Sequence, residues 1–471
     1  METVLLPMVL PWLVGLIVVS LIAWSWQRTA KSGALGLLSW GQRLCLSLPW
    51  LVYLATWWGK LDLGLGGFLA MLTVSTMGYG LLAYQKSKIL PLPQDDQSPA
   101  IAPISPGDLN QIKGIFGIDT FYATEISPYQ AGVVVRGNLR GEPGRVYELL
   151  SQSLRDRYGD QYNLFLSQGD SGRPIVYILP ALNQPPKPGT SQIFLAVLLL
   201  AVNLSTSFTL AQQILAFNFG KVNQPLSFAL ELMIGVNGLI VLREISQRWI
   251  GAKHQVTFTL PFCLPSAQIA SFGAFSRIKT PIPNRQALFD LAIAPVITSG
   301  LVSFLLLILG LGLSAMQIGE LNLPSQVFRA SVLVGLLAKL CLGENLSFNL
   351  VTIHPLVLVG WLGLIITALN LIPAGQLDGG RMLQAIYGRK AAALTTFISL
   401  VFLAIATLVN PIALYWGGII LILLRQPEKL ILNELSEPQS DRDLIAITAW
   451  FLMVAVLLPF TSATATTLGI G

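Results

Sequence analysis

Histidine is nearly absent. The 471-residue chain has two, His254 and His354, which limits any mechanism that needs several imidazoles. Cysteine is almost as scarce. Cys45, Cys263 and Cys341 are far apart and form no CxxC pair, so they suit neither a disulfide framework nor a thiolate metal site. Charge is the third shortage. Only 11% of residues are Asp, Glu, Lys or Arg, against 53% hydrophobic, whereas soluble globular chains carry about 25% charged residues. The chain reads as a polytopic membrane protein. Its net charge of +6 is spread over short loops, so nucleic acid is not an expected partner. The basic loops report orientation instead.

What is abundant is apolar sequence in windows of roughly 20 residues, the length that crosses a bilayer. Such windows fall near 5–26, 44–58, 65–84, 191–217, 226–247, 288–314, 355–374, 391–409, 411–424 and 443–460. Those at 44–58 and 411–424 are short enough to be re-entrant. The first has no small-residue cleavage site after its apolar core and reads as an anchor. Residues 85–190 differ, with ten basic and ten acidic side chains between the proline-rich borders "LPLPQDDQSPAIAPISP" and "LPALNQPPKP". There "AGVVVRGNLRGEPGRVYELLSQSLRDRYGD" predicts a strand, a turn and an amphipathic helix over 142–158. The stretch "YNLFLSQGDSGRPIVYILP" predicts two strands around a turn. The expected fold class is an all-α polytopic membrane protein of about 8–10 transmembrane helices, with a small soluble α+β domain inserted between spans three and four.

This divides the chain into a three-span region at 1–84, a soluble domain at 85–190, a membrane core at 191–425 and a C-terminal loop and last span at 426–471. Arg28, Lys31 and Arg43 place the first loop in the cytoplasm by the positive-inside rule. Counting spans then puts the soluble domain there too, together with Arg248, Lys253, Arg277, Lys279, Arg285, Arg381, Arg389 and Lys390.

Three pieces of sequence converge on that side. "VLREISQRWIGAKHQV", 241–256, carries Glu244 between Arg243 and Gln247. Its frame is that of an HExxH helix, in which two histidines one turn apart hold a metal and the glutamate activates water. "TALNLIPAGQLDGGRMLQAI" occupies 367–386, and "GNLRG" (Gly137, Asn138, Leu139, Arg140, Gly141) lies in the soluble domain. With "HPLVLVGWLGLIITALNLIPAGQLDGGR" at 354–381 and "FGAFSRIKTPIPNR" at 272–285, the chain resembles the site-2 protease family of intramembrane zinc metalloproteases. It is most similar to the branch of plastids and cyanobacteria named for ethylene-dependent gravitropism deficiency. The resemblance runs from about residue 115 to about 425, and the Asn-x-x-Pro-x-x-x-Leu-Asp-Gly-Gly string is its most specific part.

The resemblance implies that Glu244 stands at the general-base position and Asp378 at the third zinc-ligand position. Asn370, Pro373, Leu377, Gly379 and Gly380 then belong to the loop that lines the substrate groove. The two histidine positions hold Arg243 and Gln247. Arginine has no acceptor and stays protonated, and an amide oxygen is a poor zinc ligand beside imidazole. A catalytic zinc site needs three good protein ligands. His254 lies ten residues after Glu244, about 15 Å along a continuous helix. The expectation is therefore no cofactor, zinc being present in relatives and absent here. An unpaired Asp378 in a low-dielectric site is costly, so a bidentate Arg243–Asp378 pair is expected to replace the metal.

Plainer readings stand beside these. Glu244 reads equally as an Arg-paired acid at a helix end, Asp378 as a helix N-cap and His354 as a turn residue before Pro355. The stretch 256–275 reads as an interfacial loop or as a β-element that pairs with an extended substrate. Serine chemistry at Ser299 with His354 lacks the GxSG context, and an Asp290–Asp378 pair lacks GxGD. The leading functional expectation is a pseudoprotease that binds membrane-protein segments as a regulator, chaperone or assembly factor. The alternatives are an active zinc metalloprotease with a nonstandard ligand set and a structural subunit of a membrane complex. Expected partners are the lipid bilayer and transmembrane segments of other proteins, in a plasma or thylakoid membrane.

Overall fold

The computed structural model describes residues 65–89, 111–129, 132–169, 172–181, 188–219 and 226–470, with scattered residues between 26 and 52. Apart from a few residues, the expected spans at 5–26 and 44–58 lie outside the described residues, as does the border at 90–106. The first long described helix is α1, Leu65–Ile89.

The α+β region between α1 and the membrane core builds outward from one amphipathic helix. Strands β1 (Phe121–Tyr129) and β2 (Gly132–Leu139) form a hairpin, followed by helix α2 (Pro143–Tyr158) and strands β3 (Tyr162–Gln168) and β4 (Pro174–Pro180). Proline in the first turn of α2 gives up an N–H that would have no intrahelical partner. Val146, Leu150 and Leu154, spaced by four, bury one face of α2. They meet Val133, Val135, Leu164, Leu166, Val176 and Ile178, which alternate along the strands. The sheet does not stop at the edge of this region. Its order is β1-β2-β4-β3-β10-β7, where β7 is Ile282–Asn284 and β10 is Ile431–Asn433. Strand β10 runs parallel to both neighbours, pairing Asn433 with Leu166 and Ile431 with Ile282. The sheet of residues 121–180 is thereby joined to a strand within the membrane core, β7, and to one that follows the core, β10.

That core is mostly helical. Helices α3 (Thr190–Phe219) and α4 (Leu226–Lys253) precede a hairpin, β5 (Phe262–Ser266) and β6 (Ala270–Phe275). Helix α5 (Arg285–Ala315) is followed by β8 (Leu321–Pro324), α6 (Val332–Leu342) and β9 (Leu350–Ile353), with β8 and β9 paired antiparallel. Then come α7 (Pro355–Asn370), α8 (Asp378–Ala406), α9 (Pro411–Ile419) and α10 (Asp441–Leu457). Among the described residues, three segments are long and apolar enough to cross a membrane: Thr190–Ala216, Arg285–Ala315 and Asp378–Ala406. Pro355–Asn370 and Ile412–Leu424 are apolar but shorter. The membrane region is thus helical but not purely so. Strands β5 and β6 are largely buried, and the β-element, one of the two readings of 256–275, forms there as this hairpin.

Helices α5 and α7 pack closely. A Cβ on Gly360 would come within 2.4 Å of the Leu307 backbone nitrogen, so glycine lets the two backbones touch. This packing fixes α7, and with it the loop 371–377 that leads into α8.

Candidate functional site

Four buried polar side chains lie on α4 and at the start of α8, and two of them, Arg243 and Asp378, are in contact. Arg243 and Asp378 are 5% and 3% exposed, Glu244 and Gln247 8% and 6%. The period of the helix puts 243 and 247 on one face, one turn apart. Arg243 Nη2 donates to Asp378 Oδ2, joining α4 to α8 across 135 residues of sequence. Asp378 does not cap α8. Leu377 holds that position and Asp378 is the first helical residue, where a carboxylate also complements the helix dipole.

Glu244 is held from the other side. Ser276, just past β6, donates its hydroxyl to Glu244 Oε2 at 2.7 Å. Arg248 Nη2, one turn along α4, lies 3.6 Å from the same oxygen. Arg248 is itself fixed by the carbonyl of Thr259 at 2.7 Å. Both carboxylates of the site are therefore occupied by this chain's own donors.

A second buried cluster backs the first. Arg381, one turn into α8, donates from Nε and Nη2 to Glu428 Oε1 at 3.0 and 2.8 Å. The Gln384 side chain clasps the Glu428 backbone, giving to its carbonyl at 2.7 Å and accepting from its N–H at 2.8 Å. This fixes the segment after α9 against the start of α8.

The Asn-x-x-Pro loop is shaped by backbone contact. A Cβ on Gly379 would fall 1.8 Å from the Leu371 carbonyl oxygen, so only glycine allows α8 to start this close to the loop it follows. Asn370 donates to the carbonyls of Phe272 at 3.0 Å and Ile366 at 2.8 Å, tying the end of α7 to β6. Phe272 stacks on Trp416 with ring centroids 4.7 Å apart, and Trp416 Nε1 donates to the Leu369 carbonyl at 3.3 Å. Pro373 and Leu377 lie in the same loop; Leu377 is fully buried, and the Pro373 carbonyl accepts from Ser399 at 3.4 Å.

The structure joins Arg243 to Asp378 and buries Glu244 and Gln247 on the same helix, while Asn370, Pro373, Leu377, Gly379 and Gly380 lie in the chain that leads into and begins α8. It does not bring in GNLRG. Leu139 ends β2 and the Arg140 N–H donates to the Thr120 carbonyl at 2.9 Å. No hydrogen bond or ion pair links residues 137–141 to the four site residues among the described residues. His254 turns to Asp290 at 3.5 Å, and His354 caps α7 by accepting from the Leu356 N–H at 3.2 Å. Ser299 lies 3.2 Å from Thr367. Ser276, Gln384 and Glu428 are not expected from the sequence, and Arg381 only as one of the basic residues of the loops. For Arg381, Gln384 and Glu428 the signal is a charged or polar residue set between apolar neighbours, as in "GGRMLQAI" and "LLRQPEKLI".

Residues 245–409 match Peptidase family M50, a match that opens one residue after Glu244, and residues 110–185 match the EGY3 middle domain. The chain is 31% identical over 405 residues to a probable zinc metalloprotease EGY1, chloroplastic, of Arabidopsis thaliana, covering 78% of this chain and 74% of that one. The chain belongs to the EGY branch of peptidase family M50. It is also 34% identical over 355 residues to a probable zinc metalloprotease EGY2, chloroplastic, of Oryza sativa subsp. indica, covering 74% of this chain and 65% of that one. A probable zinc metallopeptidase EGY3, chloroplastic, of Arabidopsis thaliana is 25% identical over 386 residues. The chain spans about 65% of the length of the EGY2 relative. No solved structure matches it.

The expectation that zinc has no part in this protein is corrected by these relatives. It rested on two side chains, whereas the match extends over most of the chain to proteins named for zinc. Zinc is the cofactor that the names of this branch carry. The four site residues as folded do not themselves fit it. The guanidinium of Arg243 sits on the Asp378 carboxylate and has no lone pair to give. Among the described residues, no three His, Cys, Asp or Glu side chains are grouped to hold a metal ion. Any zinc bound by this chain must draw on donors other than Arg243.

Proposed function

We propose that this M50 homologue binds segments of membrane proteins and does not cut them. One observation carries the reading: the Arg243–Asp378 pair stands where the family's chemistry needs a ligand and a free carboxylate. A general base must reach a water in a productive pose, and Glu244 is instead taken by Ser276 and Arg248. The geometry keeps the framework of a peptidase site while its acid–base groups are spent on structure. The membrane core supplies the surface, through the loop 371–377 and the hairpin β5–β6.

The arrangement that goes with this reading has the division 1–84, 85–190, 191–425 and 426–471, with the soluble domain on the side of the basic loops. The names of the relatives place them in chloroplasts, which supports a plastid-type membrane, the thylakoid being the leading site for this chain. Its partners are the lipid bilayer and the apolar segments of other membrane proteins. A second reading, an active metalloprotease with a nonstandard ligand set, draws its support from the same names.

A cleavage assay separates the two. Purified protein in nanodiscs is incubated with a quenched fluorescent reporter that carries one transmembrane segment. Wild type is expected to give no more turnover than empty nanodiscs, and Arg243→His with Gln247→His to raise it. Turnover by wild type that disappears in Glu244→Gln overturns the proposal in favour of the second reading.

A further inference from the structure

On the face of α7 that turns away from β6 lies a cavity of about 550 Å³, walled by α5, α6, α7 and α10. Asn370 and Ile366 meet β6 on one side of α7. Leu364, Thr367 and Ala368 line the cavity on the other. At 3.6 residues per turn the two sets stand on roughly opposite faces of the helix. The cavity is therefore separate from the loop and hairpin described above.

Its depth places it in hydrocarbon. Gly300, in the lining, is the midpoint of α5, and the lining runs along that helix from Ile293 to Phe304. That is about 10 Å to one side of the midpoint and about 6 Å to the other, inside a bilayer core about 30 Å thick. Leu301 and Leu452 on the rim are exposed, so the cavity opens sideways toward lipid. Among the described residues that line it, Thr367 and Thr448 alone carry polar side chains. Each hydroxyl already gives its proton to a helix carbonyl, that of Gly363 at 2.9 Å and that of Leu444 at 2.8 Å. A water takes about 30 Å³ of liquid and needs two to four polar partners. The space has room for many waters and partners for almost none. Left empty, its lining would forfeit dispersion contacts on one side.

Shape narrows the choice of occupant. Along α10 the lining runs from Leu444 to Val456, about 18 Å. A helix about 10 Å across would occupy about 1,400 Å³ over that length, more than twice what the cavity offers. An alkyl chain is long and slim enough. One end of the cavity is also polar, since Asp290 precedes Ile293 on α5 by about one turn, and Arg442 comes just before Leu444 on α10. We propose that the cavity holds one acyl chain of a bilayer lipid, its head beside Arg442 and Asp290 and its tail toward Phe304 and Val456. The chain packs against α7 from behind and so braces the helix that ends at Asn370. The proposal does not depend on client binding.

The test uses the full chain in nanodiscs of phosphatidylcholine, a fraction of which carries a diazirine in one acyl chain, with cross-links mapped by mass spectrometry. Wild type is expected to be labelled at Leu371 and Ala449, buried residues of the lining, as well as at Phe451, which is exposed and no part of it. Thr448→Trp fills the cavity from its exposed rim. It is expected to cut the label at Leu371 and Ala449 about tenfold relative to that at Phe451. Ile447→Trp, at an exposed position outside the lining, is expected to leave the ratio unchanged. Should Thr448→Trp fail to fold, diazirines near the head and at the end of the chain are compared on wild type, the first expected to label Leu444 and the second Val456. Label confined to outward residues, an unchanged ratio in a folded Thr448→Trp variant, or equal labelling of both ends by both probes overturns the lipid site. So does loss of the lining label on adding an unlabelled transmembrane peptide, which makes a protein helix the occupant.

Discussion

Two arginine–aspartate pairs each join one helix of the membrane core to another, and they differ in how much water they see. Arg243–Asp378 links α4 to α8 with side chains 6% and 3% exposed. Arg442–Asp290 links the start of α10 to α5 with side chains 16% and 25% exposed. The second has the richer geometry. Arg442 gives Nε and Nη2 to Oδ1 at 3.1 and 3.0 Å and reaches Oδ2 at 3.3 Å, with His254 Nε2 3.5 Å from Oδ2. Counting bonds ranks the Arg442 pair first; burial reverses the order for the loss of one partner. Where water reaches, a stranded charge is resolvated. Where it does not, the stranded charge keeps its full desolvation penalty.

The largest effect follows from that. Arg243→Leu leaves Asp378 buried without its ion-pair partner and is expected to destabilise the protein by about 3–5 kcal/mol, whereas Arg243→Met/Asp378→Leu returns to within about 1 kcal/mol of wild type or above it. Denaturant unfolding in detergent measures both. If the single and double variants are equally destabilised, the pair is not what holds α4 to α8 and the contrast with Arg442 fails.

A steric substitution comes next, in the same wall of the site. Gly379→Ala places a methyl against the Leu371 carbonyl and carbon, at 1.8 and 2.3 Å. Neither atom is a side chain that can swing aside, so the start of α8 must move. The expected loss is about 2–3 kcal/mol, and Asp378 is displaced with it. Gly312, within the span α5, has no heavy atom within 4 Å of the same added methyl. Alanine there is the control, and a comparable loss at both positions removes the steric explanation.

How much of this was legible follows from the range of each interaction. Local pattern was enough for the α+β region: a helix expected over 142–158 forms over Pro143–Tyr158, and the two strands after it form on either side of their turn. The apolar windows marked the long helices of the core, and of the two readings of 256–275 the β-element is the one that forms, as β5 and β6. The loop residues around Asp378 were visible because the string that carries them is specific. Ser276, on which Glu244 depends, was not, since a serine after an apolar strand has no period and no spacing to announce it. Least legible was the reach of the sheet. Leu166 and Asn433 are 267 residues apart and pair through a three-residue strand, and so short a strand shows no alternation to read.

The smallest expected effect sharpens the comparison most, because it uses salt rather than size. Arg442→Gln keeps a hydrogen-bonding side chain and removes a charge that water partly reaches, so its cost is about 1 kcal/mol. Mobile ions screen such a charge over about 8 Å at physiological ionic strength and about 3 Å at 1 M. The Arg442→Gln deficit is therefore expected to shrink as salt rises from 0.15 to 1 M. The Arg243→Leu deficit is expected to stay constant, since ions do not enter the space around Asp378. The two unfolding series, run side by side, read the solvent access of each pair directly. Parallel salt dependence in both would show that water reaches Asp378 as freely as Asp290, and the site around Arg243 would have to be redrawn as an open cleft.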